Sequence, residues 1–123
     1  MGTNVKYRPL QPLSDWLEYA LLTSKLDPPV FRCRLKPVDL FSIMDGADGG
    51  PFKVGKVTLE ASVEAVAEWD LCVDGTPIPL TAENKMSWLR PIITEPVANR
   101  GEGVLLGTAI LQDAQNKELF LKN

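Results

Sequence analysis

The sequence predicts one α+β domain over residues 1–123: a small antiparallel sheet with a hairpin, packed against four or five helices. Three observations carry that expectation. From Phe31 to Lys36 apolar and basic residues alternate, the period of a half-buried strand. Asp74-Gly75 stands between two short apolar runs, the strongest short-range signal for a hairpin in the chain. Leu59, Val63 and Val66 recur at i, i+4 and i+7, the spacing of one helix face. A chain of 123 residues suits one compact core rather than two.

Taken in order, Leu10 to Leu13 lies between Pro9 and Pro12 and reads as an extended lead-in. The next stretch, SDWLEYALLTSKL, predicts a helix. Ser14 or Asp15 would cap it, Glu18 completes a capping box on Asp15, and Trp16, Leu17, Tyr19, Ala20 and Leu21 form its apolar stripe. Asp27-Pro28-Pro29 ends it. VFRCRLKP is the alternating strand, with Arg32, Arg34 and Lys36 on its solvated face. A short helix follows from Val38 to Gly46, then a glycine-rich loop from Gly46 to Gly55. Val57 to Glu68 is the clearest helix, and Glu60, Glu64 and Glu68 make an acidic stripe along it. The hairpin strands are Leu71 to Val73 and Ile78 to Leu80, with Pro77 and Pro79 suited to an edge. Thr81 caps the following helix, Glu83 sits in its first turn, and Met86, Leu89, Ile92 and Ile93 continue its apolar pattern. Pro91 should end or kink that helix. A terminal helix is expected from Val104 towards Phe120.

Hydrophobic residues make up 45% of the chain and charged residues 24%, the balance of a soluble globular protein. A net charge of −3 provides no basic field for nucleic acid. No run approaches the roughly twenty apolar residues of a membrane span, and the N-terminus lacks the apolar segment of a secretory signal. The expectation is therefore no nucleic acid, no membrane, and a cytoplasmic location. Histidine is absent, which removes the common zinc sets and the His-activated nucleophiles. Cys33 and Cys72 read as small buried thiols.

Gly50-Pro-Phe-Lys-Val-Gly55-Lys56 has the spacing of a phosphate-binding P-loop. That motif needs a hydroxyl directly after the lysine, to bind magnesium, and a strand leading in. Here Val57 follows Lys56, and Thr58 arrives one residue late, about 100° further round a helix. The segment before the loop reads as helix. The glycines therefore read as a connector, with Phe52 and Val54 as exposed apolar residues for subunit contacts. Asp45 and Asp48 begin a calcium-loop pattern that fails at Ala47 and Gly49. No catalytic residue, cofactor site or metal site is expected.

The stretch AEWDLCVDGTPIPLTAEN, from Ala67 to Asn84, joins a helix end, an aromatic anchor, a tight turn and a capped helix start. In this arrangement it resembles the tail assembly chaperones of long-tailed, siphovirus-type bacteriophages. Trp69, Asp74-Gly75, Pro77, Pro79 and Thr81 to Asn84 carry the likeness, and VFRCRLKPVDLFSI resembles the charged strand and short helix that open that family. Together these cover roughly half of the chain. The Gly46 to Gly55 loop has no counterpart in the family pattern, and the C-terminal part matches only in being helical.

The resemblance implies a non-enzymatic protein that binds the tape-measure protein and helps recruit tail-tube subunits in the cytoplasm of the infected host. It further implies self-association, a longer frameshifted form of the same protein, and absence from the mature virion. Binding an amphipathic partner requires exposed apolar surface. Trp16, Trp88 and the terminal Leu119, Phe120 and Leu121 are the further residues that would form such a surface, although the two tryptophans read first as core anchors. A structural head–tail connector or tail-terminator subunit is the alternative, and a nucleotide enzyme built on Gly50 to Lys56 is a third.

Overall fold

The computed structural model describes residues 11–22, 26–38 and 60–121. The fold is α+β: a three-stranded antiparallel sheet, a separate two-stranded hairpin and, among the described residues, three helical segments. Four or five helices were expected. One of them, over 14–26, is replaced by a strand; the short helix expected from Val38 to Gly46 lies, past Val38, outside the described residues.

The sheet has the order β1 (Leu17–Ala20), β2 (Val30–Leu35), β3 (Val66–Trp69). β1 overturns the expected helix, and the reason lies in a second period within the same residues. Leu17, Tyr19 and Leu21 alternate with Glu18 and Ala20, and Tyr19 and Leu21 are buried. The predicted caps serve other ends. Ser14 is buried, its Oγ accepting from the Leu35 amide at 3.0 Å while its own amide donates to the Leu35 carbonyl at 2.8 Å. Glu18 lies opposite Arg32 and pairs with its guanidinium at 3.2 Å.

β2 is the central strand and alternates as its sequence predicts, with Phe31, Cys33 and Leu35 buried. Its arginines make ion pairs across the sheet, Arg32 with Glu18 and with Asp70 just after β3, Arg34 with Glu68, while Lys36 just beyond it reaches Glu64 on the helix before β3. Such exposed pairs contribute about 0–1 kcal/mol each, but together they specify the register of three strands.

Helix α1 occupies residues 60–65, with 57–59 outside the described residues. It ends earlier than the expected Glu68, because the Ala65 carbonyl accepts from the Lys36 amide at 2.9 Å and the chain then joins β2. Ala67 is the extra residue of a bulge between the pairs Arg34–Glu68 and Leu35–Val66. The acidic stripe is thereby divided, Glu64 remaining on α1 and Glu68 on β3.

Cys72–Val73 (β4) pairs with Thr76–Pro77 (β5) across Asp74 and Gly75, both at positive φ as a tight hairpin turn requires. The hairpin stands out from the body, so Cys72 is exposed rather than buried. Trp69 holds its base, donating from Nε1 to the Ile78 carbonyl at 2.7 Å.

Thr81 caps the next helical segment as expected, accepting from the Asn84 amide at 3.1 Å. This segment, α2, runs from an α-turn (Ala82–Asn84) through a π-turn (Lys85–Leu89) to a 3-10 turn (Arg90–Ile92). Pro91 explains the irregularity: its ring collides with the carbonyl four residues back and it has no amide to donate, so the coil widens and then tightens. The terminal helix α3 (Leu106–Gln115) is shorter than its expected span and continues as a 3-10 turn (Lys117–Phe120) after Asn116.

The core lies between the inner sheet face, α2 and α3, and includes Tyr19, Phe31, Leu35, Val66, Leu89, Leu106, Ile110 and Phe120. Gly107 sits where α3 touches the chain after α2: its amide donates to the Ile93 carbonyl at 2.8 Å. A Cβ added there would meet Ile93 Cγ1 at 3.0 Å and Ser62 Oγ at 3.2 Å.

Candidate functional site

A groove of about 630 Å3 runs between α1 and α2. Val63 on α1, Leu80 before α2, Met86 on α2 and Ile93 after it provide the apolar lining. Met86 is 53% exposed, although its place in the helical pattern predicted burial. Here the kinked helix turns Leu89 fully inward and leaves the methionine at the surface.

Charged residues frame that lining. Glu60 and Glu64 stand on α1, Lys36 at the end of β2, and Lys85 and Arg90 on α2. Lys36 and Glu64 pair with each other at 3.7 Å. Lys85 Nζ donates to the Glu64 backbone carbonyl at 3.3 Å, and Arg90 is 3.7 Å from Met86 Sδ. Neither Lys85 nor Arg90 has an ion pair among the described residues. Burial lowers the Lys85 pKa from the ordinary lysine value, and the nearby Lys36 charge adds to the effect against the opposing pull of Glu64.

A second polar cluster is internal. Tyr19 donates to Asp113 Oδ2 at 2.7 Å, and Arg100 contacts both carboxylate oxygens, at 2.7 and 2.6 Å. The guanidinium carbon lies 5.0 Å from the Tyr19 ring centroid. Burial and the Asp113 hydrogen bond push the phenol pKa well above its ordinary value, and burial does the same for the nearby Cys33 thiol. Both groups are thereby held protonated. The cluster ties β1 to α3 and to the Ala98–Arg100 turn. Asn99 continues the tie, accepting from the Ala20 amide at 3.1 Å and donating to the Glu18 carbonyl at 3.2 Å.

The residues expected at a partner surface fall in different places. Trp16 is 44% exposed just before β1, and Trp88 is 43% exposed on α2. Leu119 and Leu121 are half-buried. Phe120 is 0% exposed and belongs to the core, which removes it from any surface in this fold. Asn116 caps a 3-10 turn that folds Phe120 inward, and the distant Gln11 amide donates to the Phe120 carbonyl. Phe52 and Val54, with the whole Gly46 to Gly55 loop and Lys56, lie outside the described residues. None of the described ones, Trp16, Trp88, Leu119, Phe120 and Leu121, lines the groove. The groove was legible only in part: Ala82, Met86 and Arg90 recur every four residues, but the partner wall on α1 depends on tertiary packing.

Among the described residues no group of three or more His, Cys, Asp or Glu could hold a metal ion. No described helix is long and apolar enough to cross a membrane. No protein-family model, curated protein or solved structure matches the chain.

Proposed function

We propose that the protein is a tail assembly chaperone of a long-tailed bacteriophage, a non-enzymatic binder of the tape-measure protein that helps recruit tail-tube subunits. The observation that carries this is the segment from Trp69 to Asn84, whose residues resemble that family and are linked by hydrogen bonds at both ends of the stretch. Trp69 pins the base of the Asp74-Gly75 hairpin, and Asn84 returns its side-chain amide to the Pro79 carbonyl at 2.8 Å, beside the Thr81 cap. Half-exposed Trp16 and Trp88 and the apolar groove beside α2 support a binding role, since a chaperone for amphipathic helices needs apolar surface in contact with water.

In this proposal the protein acts in the cytoplasm of the infected host, self-associates, works alongside a longer frameshifted form of itself, and is absent from the mature virion. The alternative is a head–tail connector or tail-terminator subunit, which would remain in the particle. Co-expression with a tape-measure protein tests the proposal. The expected outcome is a several-fold rise in soluble tape-measure protein, lost on the double substitution W16E/W88E. No rise would refute the chaperone, and recovery of the protein from purified virions would favour the connector.

A further inference from the structure

The α1–α2 groove has two features that restrict what it can hold. Its walls are helices and side chains: Glu60, Val63 and Glu64 on one side, Ala82, Lys85, Met86 and Arg90 on the other. A third helix can lay an apolar ridge between two such walls, whereas an extended strand would need free backbone groups to pair with.

The second feature is the imbalance of charge. Glu64 is paired with Lys36, so among the described residues Lys85 and Arg90 on the α2 side and Glu60 on the other have no ion pair. Lys85 has also lost part of its hydration. An incoming carboxylate beside it therefore gains more than it would beside a fully solvated lysine.

The geometry points to the groove as the docking site for an amphipathic helix of a partner protein, with its apolar ridge over Val63, Leu80, Met86 and Ile93 and carboxylates along the flank facing Lys85 and Arg90. This deepens the chaperone proposal and rests on it for the protein to which the helix belongs, while the helix chemistry follows from the groove alone.

Two synthetic helical peptides of about eighteen residues test the inference with the full chain. Both carry leucine at the i, i+3, i+4 and i+7 positions; one has glutamate along its flank, the other lysine. Fluorescence anisotropy should show the glutamate peptide binding about tenfold more tightly than the lysine peptide. The double substitution K85E/R90E should invert that preference, and M86E should weaken both peptides. Because all three residues are at least partly exposed, the inversion also serves as the control for folding.

Equal binding of the two peptides, no binding of either, or a preference unchanged by K85E/R90E would each overturn the inference. So would sedimentation showing an oligomer that K85E/R90E dissociates, since a second copy would then own the groove. Retained peptide binding without tape-measure solubilisation would refute the chaperone and leave the groove intact. Solubilisation that survives both K85E/R90E and M86E would do the reverse.

Discussion

Asp113 shows how much one side chain can hold when it is buried with its partners in place. Its carboxylate takes the Tyr19 hydroxyl and both terminal nitrogens of Arg100, joining segments that lie 94 and 13 residues away in sequence. Replacing it with asparagine keeps the volume but removes the charge that Arg100 answers, and turns an amide group towards that cation. We expect Asp113→Asn to destabilise the fold by about 2–4 kcal/mol in urea denaturation. Tyr19→Phe, which leaves the ion pair standing, should cost only about 1–2 kcal/mol. Equal losses from the two variants would show that the hydroxyl rather than the charge pair carries the tie. Nothing in the sequence announces this cluster, because its members come from distant segments and none forms a motif with its neighbours.

At the scale of elements, two kinds of prediction from sequence had different fates. The turn at Asp74-Gly75 and the Thr81 cap depend on residues within a few positions of each other, and both form as expected, although the return strand is Thr76–Pro77, directly after the turn, rather than Ile78 to Leu80. The segment around Tyr19 satisfies two periods at once: its apolar residues fit a helix face, and Leu17, Tyr19 and Leu21 also fit one face of a strand. β2 supplies the ladder that decides between them. The end of α1 is decided in the same way, by the Lys36 amide reaching the Ala65 carbonyl. Close packing of α3 gives a direct test. Gly107→Ala normally favours a helix by about 1 kcal/mol, yet here the new methyl group meets Ile93 and Ser62. Overpacking should outweigh propensity and lower stability by about 1–3 kcal/mol in thermal or chemical denaturation. A stabilised variant would show that α3 can shift away from Ile93 and the turn after α2 without loss.

Across the whole molecule, burial is uneven, and that unevenness predicts the order in which the structure opens. β2 is paired on both sides and carries Phe31, Cys33 and Leu35 into the core. The β4–β5 hairpin is a separate two-stranded unit with all four strand residues exposed. Amide hydrogen exchange should therefore be slowest in β2 and faster by orders of magnitude in β4 and β5, whose opening does not disturb the core. Comparable protection in the two would mean that hairpin and sheet unfold together. The same division places the hairpin, the half-exposed tryptophans and the groove on the outer layer of the molecule, around a core that the Tyr19–Asp113–Arg100 tie stiffens.

The sequence by itself determined the α+β class, the face of β2 that is buried, the turn at Asp74-Gly75 and the start of α2. In each case the deciding groups lie within one strand or one turn, so local geometry and hydrophobic period suffice. Tertiary structure decided that β1 is a strand, that α1 stops at residue 65, that Phe120 is core, and that Lys85 and Arg90 face α1 across an apolar groove. Those outcomes depend on which distant backbone group or charge arrives to complete the pair. No window of neighbouring residues contains that partner.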